Sequence, residues 1–430
     1  MNVIDGYRRE PATRIAGRFA AFGLLLLTTL AVAAPLERGA PESLGFSSDR
    51  LQRLSVALAG YVSDEQLAGS VTLVARHGKV AYFEAFGMRD RESRSPMQPD
   101  SIFRIASQSK AIVSTVAMIL QEEGRLLISD PVAEYLPEFA ATTVAEPRAN
   151  GYVVVPASRP ITIRDLLTHT SGFDYGTGIA ADKWAAAGIQ GYYFSDRDEP
   201  IGETVARMAS LPASAHPGER WIYGYSIDIL GAVVERAAGM PLDELLRDRI
   251  FEPLGMTDTS FYLPRNKRDR LATVYAMVDD ALERAPETGQ SGQGAFVDGP
   301  RKSFSGGAGL LSTATDYAKF LQMILNGGEL DGVRILSPKT VELMGVSHLG
   351  DIPFQPGSGF GLGFSVLEDV GTRGTPGSVG ELGWGGAYHS TYWIDPVEEL
   401  VVVHLTQLNP AGDVDDQDKV RALIYQAIVD

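Results

Sequence analysis

The chain has 430 residues, no cysteine, and 54 acidic against 38 basic residues, which gives a net charge of −16. The lack of cysteine excludes disulfides, thiol nucleophiles and cysteine-ligated metal sites, and the acidic surface disfavours a nucleic-acid partner. Because one hydrophobic core rarely serves more than roughly 250–300 residues, we expect two lobes.

The N-terminus predicts a signal peptide over residues 1–33. Four arginines between positions 8 and 18 precede an uncharged run rich in leucine and alanine, and Ala31-Val32-Ala33 offers a cleavage site. The run is short for a membrane-spanning helix, which needs about 20 apolar residues. We therefore expect a periplasmic or secreted protein with no stable membrane insertion if the signal is cleaved, and an uncleaved anchor is the alternative.

Hydrophobic periodicity and turn residues predict strands near both ends of the chain and helices between them. Loops are expected at 140–160, 174–200 and 286–300. In chain order the clearer predictions are a helix at 49–61, strands at 70–75 and 80–86, helices at 107–123, 203–209 and 228–238, strands at 309–312, 361–367, 388–394 and 400–405, and a helix at 417–429.

This order predicts an α+β fold. An α/β lobe, at about 46–115 and 305–430, would be built from both termini, and a helical lobe at about 116–304 would be inserted between its halves. The strands at 70–75 and 80–86 are joined too tightly to run parallel. We therefore expect an antiparallel sheet flanked by helices.

Ser107-Gln-Ser-Lys110 is the one Ser-x-x-Lys sequence in the chain. A chance match of this pattern is close to expected in a chain this long, but its position at the predicted start of a helix adds weight. The serine hydroxyl would face the positive end of the helix dipole, and the lysine would lie one turn away on the same face. A partly buried lysine can lose its proton and act as a base.

A Ser-x-x-Lys that opens a helix resembles the penicillin-binding protein and class C β-lactamase superfamily, and especially the β-lactamase-fold (family VIII) carboxylesterases. The resemblance covers most of the chain and implies a β-lactamase/DD-peptidase-like serine hydrolase domain over residues 34–430. Further segments match in the family's order, namely 162–172, 217–231, 253–259 and 305–312.

The family's second motif places a catalytic tyrosine five residues before an aspartate. Asp228 follows Tyr223 at this spacing, so the resemblance makes Tyr223 the general base and acid, with Tyr225 as the runner-up. Tyr225 stands where the family often has asparagine, and we expect it to contact the substrate. Its presence removes an amide that would bind a peptide or a lactam.

The family's third motif corresponds here to Trp384-Gly385-Gly386, the form seen in the esterase branch. The resemblance implies that the backbone N–H groups of Ser107 and Ala387 form the oxyanion hole, and that the Trp-Gly-Gly segment contacts the substrate. His389, just behind it, is a further candidate substrate contact. A tryptophan in place of the family's lysine removes a cation that would bind a carboxylate, which favours neutral esters, although an arginine from elsewhere could restore that charge.

The favoured prediction is an exported carboxylesterase that acts on a small-molecule ester. The alternatives are a DD-peptidase, a D-aminopeptidase or a β-lactamase with the same residues, acting on a D-amino-acid peptide or a β-lactam, and a non-catalytic exported binding protein on the same scaffold. No complete Gly-x-Ser-x-Gly occurs, which disfavours an α/β-hydrolase. No His-Glu-x-x-His or other metal-binding spacing of histidines occurs either, which disfavours zinc hydrolysis, and we expect no metal and no cofactor. His169 is expected to hydrogen-bond within its own segment.

Overall fold

The computed structural model describes residues 33–34 and 36–430, so the predicted signal peptide lies, except for Ala33, outside the described residues. No helix in the described part of the chain is both long and apolar enough to cross a membrane.

The centre of the fold is an eight-stranded antiparallel sheet in the order β12-β13-β14-β15-β16-β1-β2-β3. The first strand pairs with the last, Val71 opposite Leu405, so both termini build one sheet. Four two-stranded ladders, β4/β9, β5/β6, β7/β8 and β10/β11, lie outside it. The strands are β1 (Gly69–Arg76), β2 (Lys79–Asp90), β3 (Ser95–Pro96), β4 (Phe103–Arg104), β5 (Thr143–Arg148), β6 (Gly151–Pro156), β7 (Tyr275–Val278), β8 (Ala281–Arg284), β9 (Leu311–Ser312), β10 (Glu329–Leu330), β11 (Val333–Arg334), β12 (Ser358–Phe360), β13 (Ser365–Leu367), β14 (Leu382–Gly386), β15 (Ser390–Asp395) and β16 (Leu400–Leu405).

Helices cover both faces of this sheet and fill the middle of the chain. Short 3-10 helices occur at Pro41–Leu44, Ala106–Gln108, Val132–Glu134, Pro137–Ala141 and Arg265–Arg270, and a π-helical turn at Arg247–Phe251. The α-helices are α1 (Ser48–Ser63), α2 (Ser109–Glu122), α3 (Ile163–Leu167), α4 (Ala181–Ala186), α5 (Ile201–Met208), α6 (Ser226–Ala238), α7 (Leu242–Leu246), α8 (Ala314–Leu325), α9 (Pro338–Met344), α10 (Val370–Arg373) and α11 (Asp416–Tyr425).

Strand β1 shows how the two faces of the sheet are filled. All of its residues are buried, and successive side chains point to opposite faces. Val71 and Leu73 belong to the main core with α2 and α8, whereas Val74 belongs to a second core with α1 and α11. The sheet is therefore a middle layer, and α2, which begins next to the predicted nucleophile, is buried along nearly its whole length.

The expected α+β fold with an antiparallel sheet flanked by helices is confirmed. Three local predictions are wrong. The loop expected at 174–200 contains the short helix α4. Of the single strand expected at 361–367, only residues 365–367 form a strand, β13, because the chain turns at Gly361–Gly363, where Gly363 adopts a φ of 95°, and the partner strand β12 ends before this turn. The loop expected at 140–160 contains the β5/β6 hairpin, whose prolines and glycine hid its valine-rich pattern. The division into lobes at residues 115 and 304 stays a prediction.

Candidate active site

Ser107 lies where an irregular segment becomes a long buried helix. It occupies the 3-10 turn Ala106–Gln108, which runs directly into α2. The preceding Ala106 has a φ of 42°, a left-handed conformation that is uncommon and strained for a residue other than glycine. Ser107 is 9% exposed and lines a cavity of about 610 Å³, so this largely buried serine has an open space beside it that a substrate could occupy.

The amine of Lys110 is held by three oxygens. Its Nζ lies 3.2 Å from the Ser107 Oγ, 3.1 Å from the Tyr175 hydroxyl and 2.7 Å from the Gly307 carbonyl oxygen. Lys110 is buried, and each of these hydrogen-bond partners within the described chain is neutral. The geometry therefore places an amine beside the serine hydroxyl without a counter-ion in contact with it.

The Gly307 carbonyl is positioned by Asp228 on α6. One carboxylate oxygen of Asp228 accepts hydrogen bonds from the Ser305 hydroxyl at 2.6 Å and from the Gly307 backbone N–H at 3.1 Å. Residue 307 must be glycine, because a Cβ there would lie 2.3 Å from the other Asp228 oxygen. Burial raises the pKa of Asp228, and the charge of Lys110 opposes this. Two segments that the sequence singled out, 217–231 and 305–312, thus converge on Lys110.

Tyr223 and Ser107 line the same cavity, but Tyr223 meets Lys110 through its ring. The Lys110 Nζ lies 4.7 Å from the ring centroid, and the Tyr223 hydroxyl accepts a hydrogen bond of 2.9 Å from the Trp384 Nε1. Among the described residues, neither Ser107 nor Lys110 hydrogen-bonds the Tyr223 hydroxyl. The phenol within hydrogen-bonding distance of the amine is Tyr175.

Tyr175 is the site residue that the sequence reasoning missed. It follows Gly172 by three residues and begins the loop 174–200, which breaks the helical pattern and carries no motif of its own. Burial raises the pKa of Tyr175 well above its usual value, with Tyr223 and Asp228 adding to the effect and a hydrogen bond with Ser107 opposing it. The phenol therefore stays protonated at neutral pH.

Tyr225 lies outside the cavity, which corrects the expectation that it contacts the substrate. It is fully buried and stacks on Trp184 with ring centroids 5.3 Å apart. Its hydroxyl donates a 3.1 Å hydrogen bond to the Tyr175 carbonyl oxygen. Tyr225 therefore supports the backbone of Tyr175. The expectation was wrong because spacing along the chain does not reveal which of two nearby tyrosines, Tyr223 or Tyr225, faces the cavity.

Strand β14 forms the opposite wall, and Trp384, Gly385 and Gly386 line the cavity together with Ala387. A Cβ at Gly386 would lie 2.6 Å from the Ile105 carbonyl oxygen. Glycine is required there because the end of β14 approaches the segment before Ser107 so closely. The predicted oxyanion-hole residues, Ser107 and Ala387, accordingly flank this contact.

His389 also lines the cavity and belongs to a buried cluster with Asp416 and His404. The carboxylate of Asp416 contacts the Nε2 of His389 at 2.5 Å and the Nε2 of His404 at 2.9 Å. Burial alone would raise the pKa of Asp416, but hydrogen bonds with the two imidazoles hold it well below its usual value. His389 has a strained backbone, with a φ of 61°, and its imidazole is held by Asp416 beside the Trp-Gly-Gly wall.

His169 makes no side-chain hydrogen bond to its own segment, so that expectation is wrong. It is fully buried, and neither ring nitrogen has a hydrogen-bond partner within the described residues. Its ring packs behind Tyr223, with centroids 4.8 Å apart. Burial, together with the charge of Lys110, lowers the pKa of His169 well below its usual value, so it is a neutral packing residue at neutral pH.

Three larger cavities, of about 700, 860 and 930 Å³, contain none of the predicted site residues. Across residues 33–34 and 36–430, no group of three or more His, Asp or Glu side chains is arranged to hold a metal ion.

Comparison with known proteins agrees with this geometry. The sequence profile of the Beta-lactamase family matches residues 54–426. The esterase EstB of Burkholderia gladioli is 35% identical over 374 residues, covering 82% of this chain and 89% of EstB. The lovastatin esterase of Penicillium rubens is 33% identical over 369 residues, covering 77% of this chain and 86% of that enzyme.

Among solved structures, EstCE1, a hydrolase with promiscuous acyltransferase activity, superposes with a TM-score of 0.75. It is 32% identical, and the match covers 90% of this chain and 99% of EstCE1. The motif order, the antiparallel sheet and these matches lead to one conclusion: the chain belongs to the Beta-lactamase family and is a serine hydrolase of the β-lactamase fold.

Proposed function

We propose that this protein is an exported carboxylesterase that works through an acyl-enzyme on Ser107. The observation that carries the proposal is the placement of the Lys110 amine, 3.2 Å from the Ser107 Oγ and held by neutral oxygens on the wall of an open cavity. An amine in this position can take the serine proton when it is itself neutral. Export rests on the N-terminal sequence pattern alone.

Acylation begins with Lys110 in its neutral form. The Ser107 Oγ attacks the ester carbonyl carbon while its proton moves to the Lys110 Nζ. The backbone N–H groups of Ser107 and Ala387 stabilise the oxyanion, and each such donor is worth roughly 10²–10³ in rate. The C–O bond to the alcohol then breaks, and the alcohol takes the proton of the Tyr223 hydroxyl. In deacylation water attacks the acyl carbon and gives a proton to the Tyr223 oxygen, and the Ser107 Oγ leaves with the proton held by Lys110, which releases the acid and restores all three side chains.

The two phenols have different roles in this scheme. Trp384 donates to the Tyr223 oxygen, which leaves the Tyr223 proton free to be donated into the cavity, towards the leaving alcohol. Tyr175 contacts Lys110 and stays protonated, so its role is to orient the amine. Tyr223 is thus the general acid, and Tyr175 is a positioning residue.

Aromatic side chains favour an ester over a peptide or a lactam as the substrate. Trp384 packs against Tyr223 at 5.4 Å and against Phe360 at 5.3 Å between ring centroids. Apolar rings near the reacting centre suit neutral acyl and alcohol groups. The similarity to EstB and the lovastatin esterase, both named as esterases, supports the same choice.

Replacing the nucleophile tests the proposal. We expect Ser107→Ala to abolish hydrolysis of p-nitrophenyl butyrate and labelling by a fluorophosphonate probe, while Tm changes little. Ser114→Ala is the matched control, because Ser114 is buried on the same helix without a hydrogen-bond partner among the described residues. Retained turnover in Ser107→Ala contradicts the assignment.

An unlabelled wild-type protein favours the non-catalytic alternative, and faster turnover of nitrocefin or D-Ala-D-Ala peptides than of esters favours a β-lactamase or a peptidase.

The leaving group separates the two tyrosines. We expect Tyr223→Phe to lower kcat/KM for an ethyl ester by about 10²-fold or more, a usual size for general acid catalysis. The loss for the p-nitrophenyl ester should be much smaller, because p-nitrophenolate leaves without a proton. Tyr175→Phe should affect both esters equally. The reverse pattern in steady-state kinetics would exchange the two roles.

A further inference from the structure

The cavity that contains Ser107 continues along β14 to a second, polar end. The far wall there includes Arg373, Arg421 and Glu381. Gly383 and Gly386 form the floor between the two ends and are three residues apart, or about 10 Å along a strand. A substrate that fills the cavity therefore reaches well beyond the reacting carbonyl.

The charge of Arg421 is already compensated. Its guanidinium donates to both carboxylate oxygens of Glu381, at 2.7 and 2.8 Å, and to the Pro376 carbonyl oxygen at 3.0 Å. The Tyr425 hydroxyl donates a further hydrogen bond of 2.9 Å to Glu381. Arg421 and Glu381 are thus a satisfied pair whose charges compensate each other.

Arg373 has no such partner. Within the described residues, no carboxylate oxygen lies within 4.0 Å of its guanidinium, and its one side-chain hydrogen bond is a long contact of 3.4 Å to the Ser358 hydroxyl. Arg373 is half-buried, and burial together with the charge of Arg421 lowers its pKa. A partly desolvated cation without a counter-ion is unfavourable by itself, and an anion entering the cavity would relieve this.

We propose that Arg373 binds a free carboxylate of the substrate, so that the preferred esters carry this carboxylate on a chain that extends along β14 from the scissile carbonyl. Arginine suits the role because its planar guanidinium can bind a carboxylate through two parallel hydrogen bonds. Polar side chains, Ser365, Thr391 and Gln417, line the cavity around this end. The aromatic end would hold the ester group and the arginine end the acid. This inference rests on the proposed esterase activity and narrows its substrate class.

A series of half-esters tests the inference. The substrates are p-nitrophenyl half-esters of straight-chain dicarboxylic acids from succinate to sebacate, each paired with the p-nitrophenyl ester of the monocarboxylic acid of equal length. For each pair we take the ratio of kcat/KM for the half-ester to kcat/KM for the neutral ester. We expect this ratio to be largest at an intermediate length of the acyl chain. Arg373→Met should lower that peak by roughly 10- to 100-fold, as expected for a charge-assisted hydrogen bond.

Two further variants control for charge and for folding. Arg265→Met removes an arginine that is 80% exposed and should leave the ratio unchanged. Arg373→Lys keeps the charge without the two-pronged geometry and should give an intermediate ratio. The inference is overturned if the ratio is the same in Arg373→Met as in wild type, or if Arg373→Met loses both substrate classes equally.

A binding measurement separates this inference from the proposed function. In Ser107→Ala, calorimetric titration with suberic acid monomethyl ester should give a Kd that Arg373→Met weakens at least tenfold. An equal Kd in both backgrounds overturns the inference, even if wild type hydrolyses esters. Failure of wild type to hydrolyse any ester contradicts the proposed function, and the titration still tests the carboxylate subsite.

Discussion

The two walls of the cavity handle charge in opposite ways. On the helical wall, the Lys110 amine contacts neutral oxygens. Behind that wall, neither ring nitrogen of His169 has a hydrogen-bond partner among the described residues. On the strand wall, His389 is tied to Asp416, which also binds His404. The comparison teaches that the helical wall keeps counter-ions out of contact with the Lys110 amine, whereas on the strand wall the imidazole of His389 is held in contact with a carboxylate.

The largest effect expected from this comparison comes from removing the amine of Lys110 on the helical wall. Lys110→Met should lower kcat/KM for p-nitrophenyl butyrate by about 10³-fold or more, because Ser107 loses its proton acceptor. Steady-state kinetics and a thermal melt measure activity and folding separately.

Lys319 supplies the matched control for this variant. It is also a buried lysine whose amine donates to a carbonyl oxygen, that of Gly255 at 2.7 Å, and it does not line the cavity. Lys319→Met should lower Tm and leave kcat/KM within about twofold, the scale of a substitution that removes no transition-state contact. Equal losses of activity in the two variants would mean that Lys110 acts only through packing.

A smaller effect is expected on the strand wall. Asp416→Asn should destabilise the fold by about 1–3 kcal/mol at pH 7, since it removes a buried carboxylate that binds two imidazoles. The folded state lowers the pKa of Asp416, so the carboxylate contributes stability above the ordinary carboxyl pKa and loses it at lower pH. The difference in Tm between wild type and variant should therefore narrow as the pH falls below about 4.

Asp413→Asn is the control, because it makes the same change of charge at an exposed position. A gap in Tm that persists unchanged into acid would show that the Asp416 carboxylate does not provide the stabilisation.

The smallest effect concerns His169. Its pKa is lowered in the folded state, so below about pH 6.5 the unfolded chain binds a proton that the folded chain does not. Stability should fall with acidification, by up to about 1.4 kcal/mol per pH unit for this group. His169→Gln should remove that part of the slope in denaturant unfolding between pH 7.5 and 5.

His77→Gln is the control for the substitution itself, because it makes the same change at a side chain that is 41% exposed and lies outside the cavity. An unaltered slope in His169→Gln would contradict the neutral, buried state of His169.

Local patterns predicted the parts of the site that lie close together in the sequence. The spacing of Ser107 and Lys110 placed both on one face of a helix, and the motif order led to Asp228 and to the glycines of β14. The hairpin of β1 and β2 was also predicted, from a short turn between two strand-like runs. In the structure its turn residues, His77 and Gly78, both take the positive φ that such tight turns require.

The remainder depends on contacts that no local pattern records. Tyr175 comes from an irregular loop, and its nearness to Lys110 is set by the packing of Tyr225 beneath it. Arg373 sits on a four-residue helix, and its missing counter-ion is visible only once the neighbouring strands are in place. The sequence therefore indicated that Ser107, Lys110 and the glycines of β14 come together, but it did not indicate that Tyr175 and Arg373 join them in the same cavity.

The contact between Gly386 and Ile105 has a consequence for the timing of activity. Ser107 belongs to the early part of the chain, while its proposed oxyanion partner, Ala387, directly follows β14 and is made near the end of synthesis. Strand β1 pairs with β2 on one side and with β16 on the other, so its second side stays unpaired until β16 has been made. A nascent chain thus lacks part of the site, so we expect the hydrolase to be inactive until the whole chain has been made and has folded.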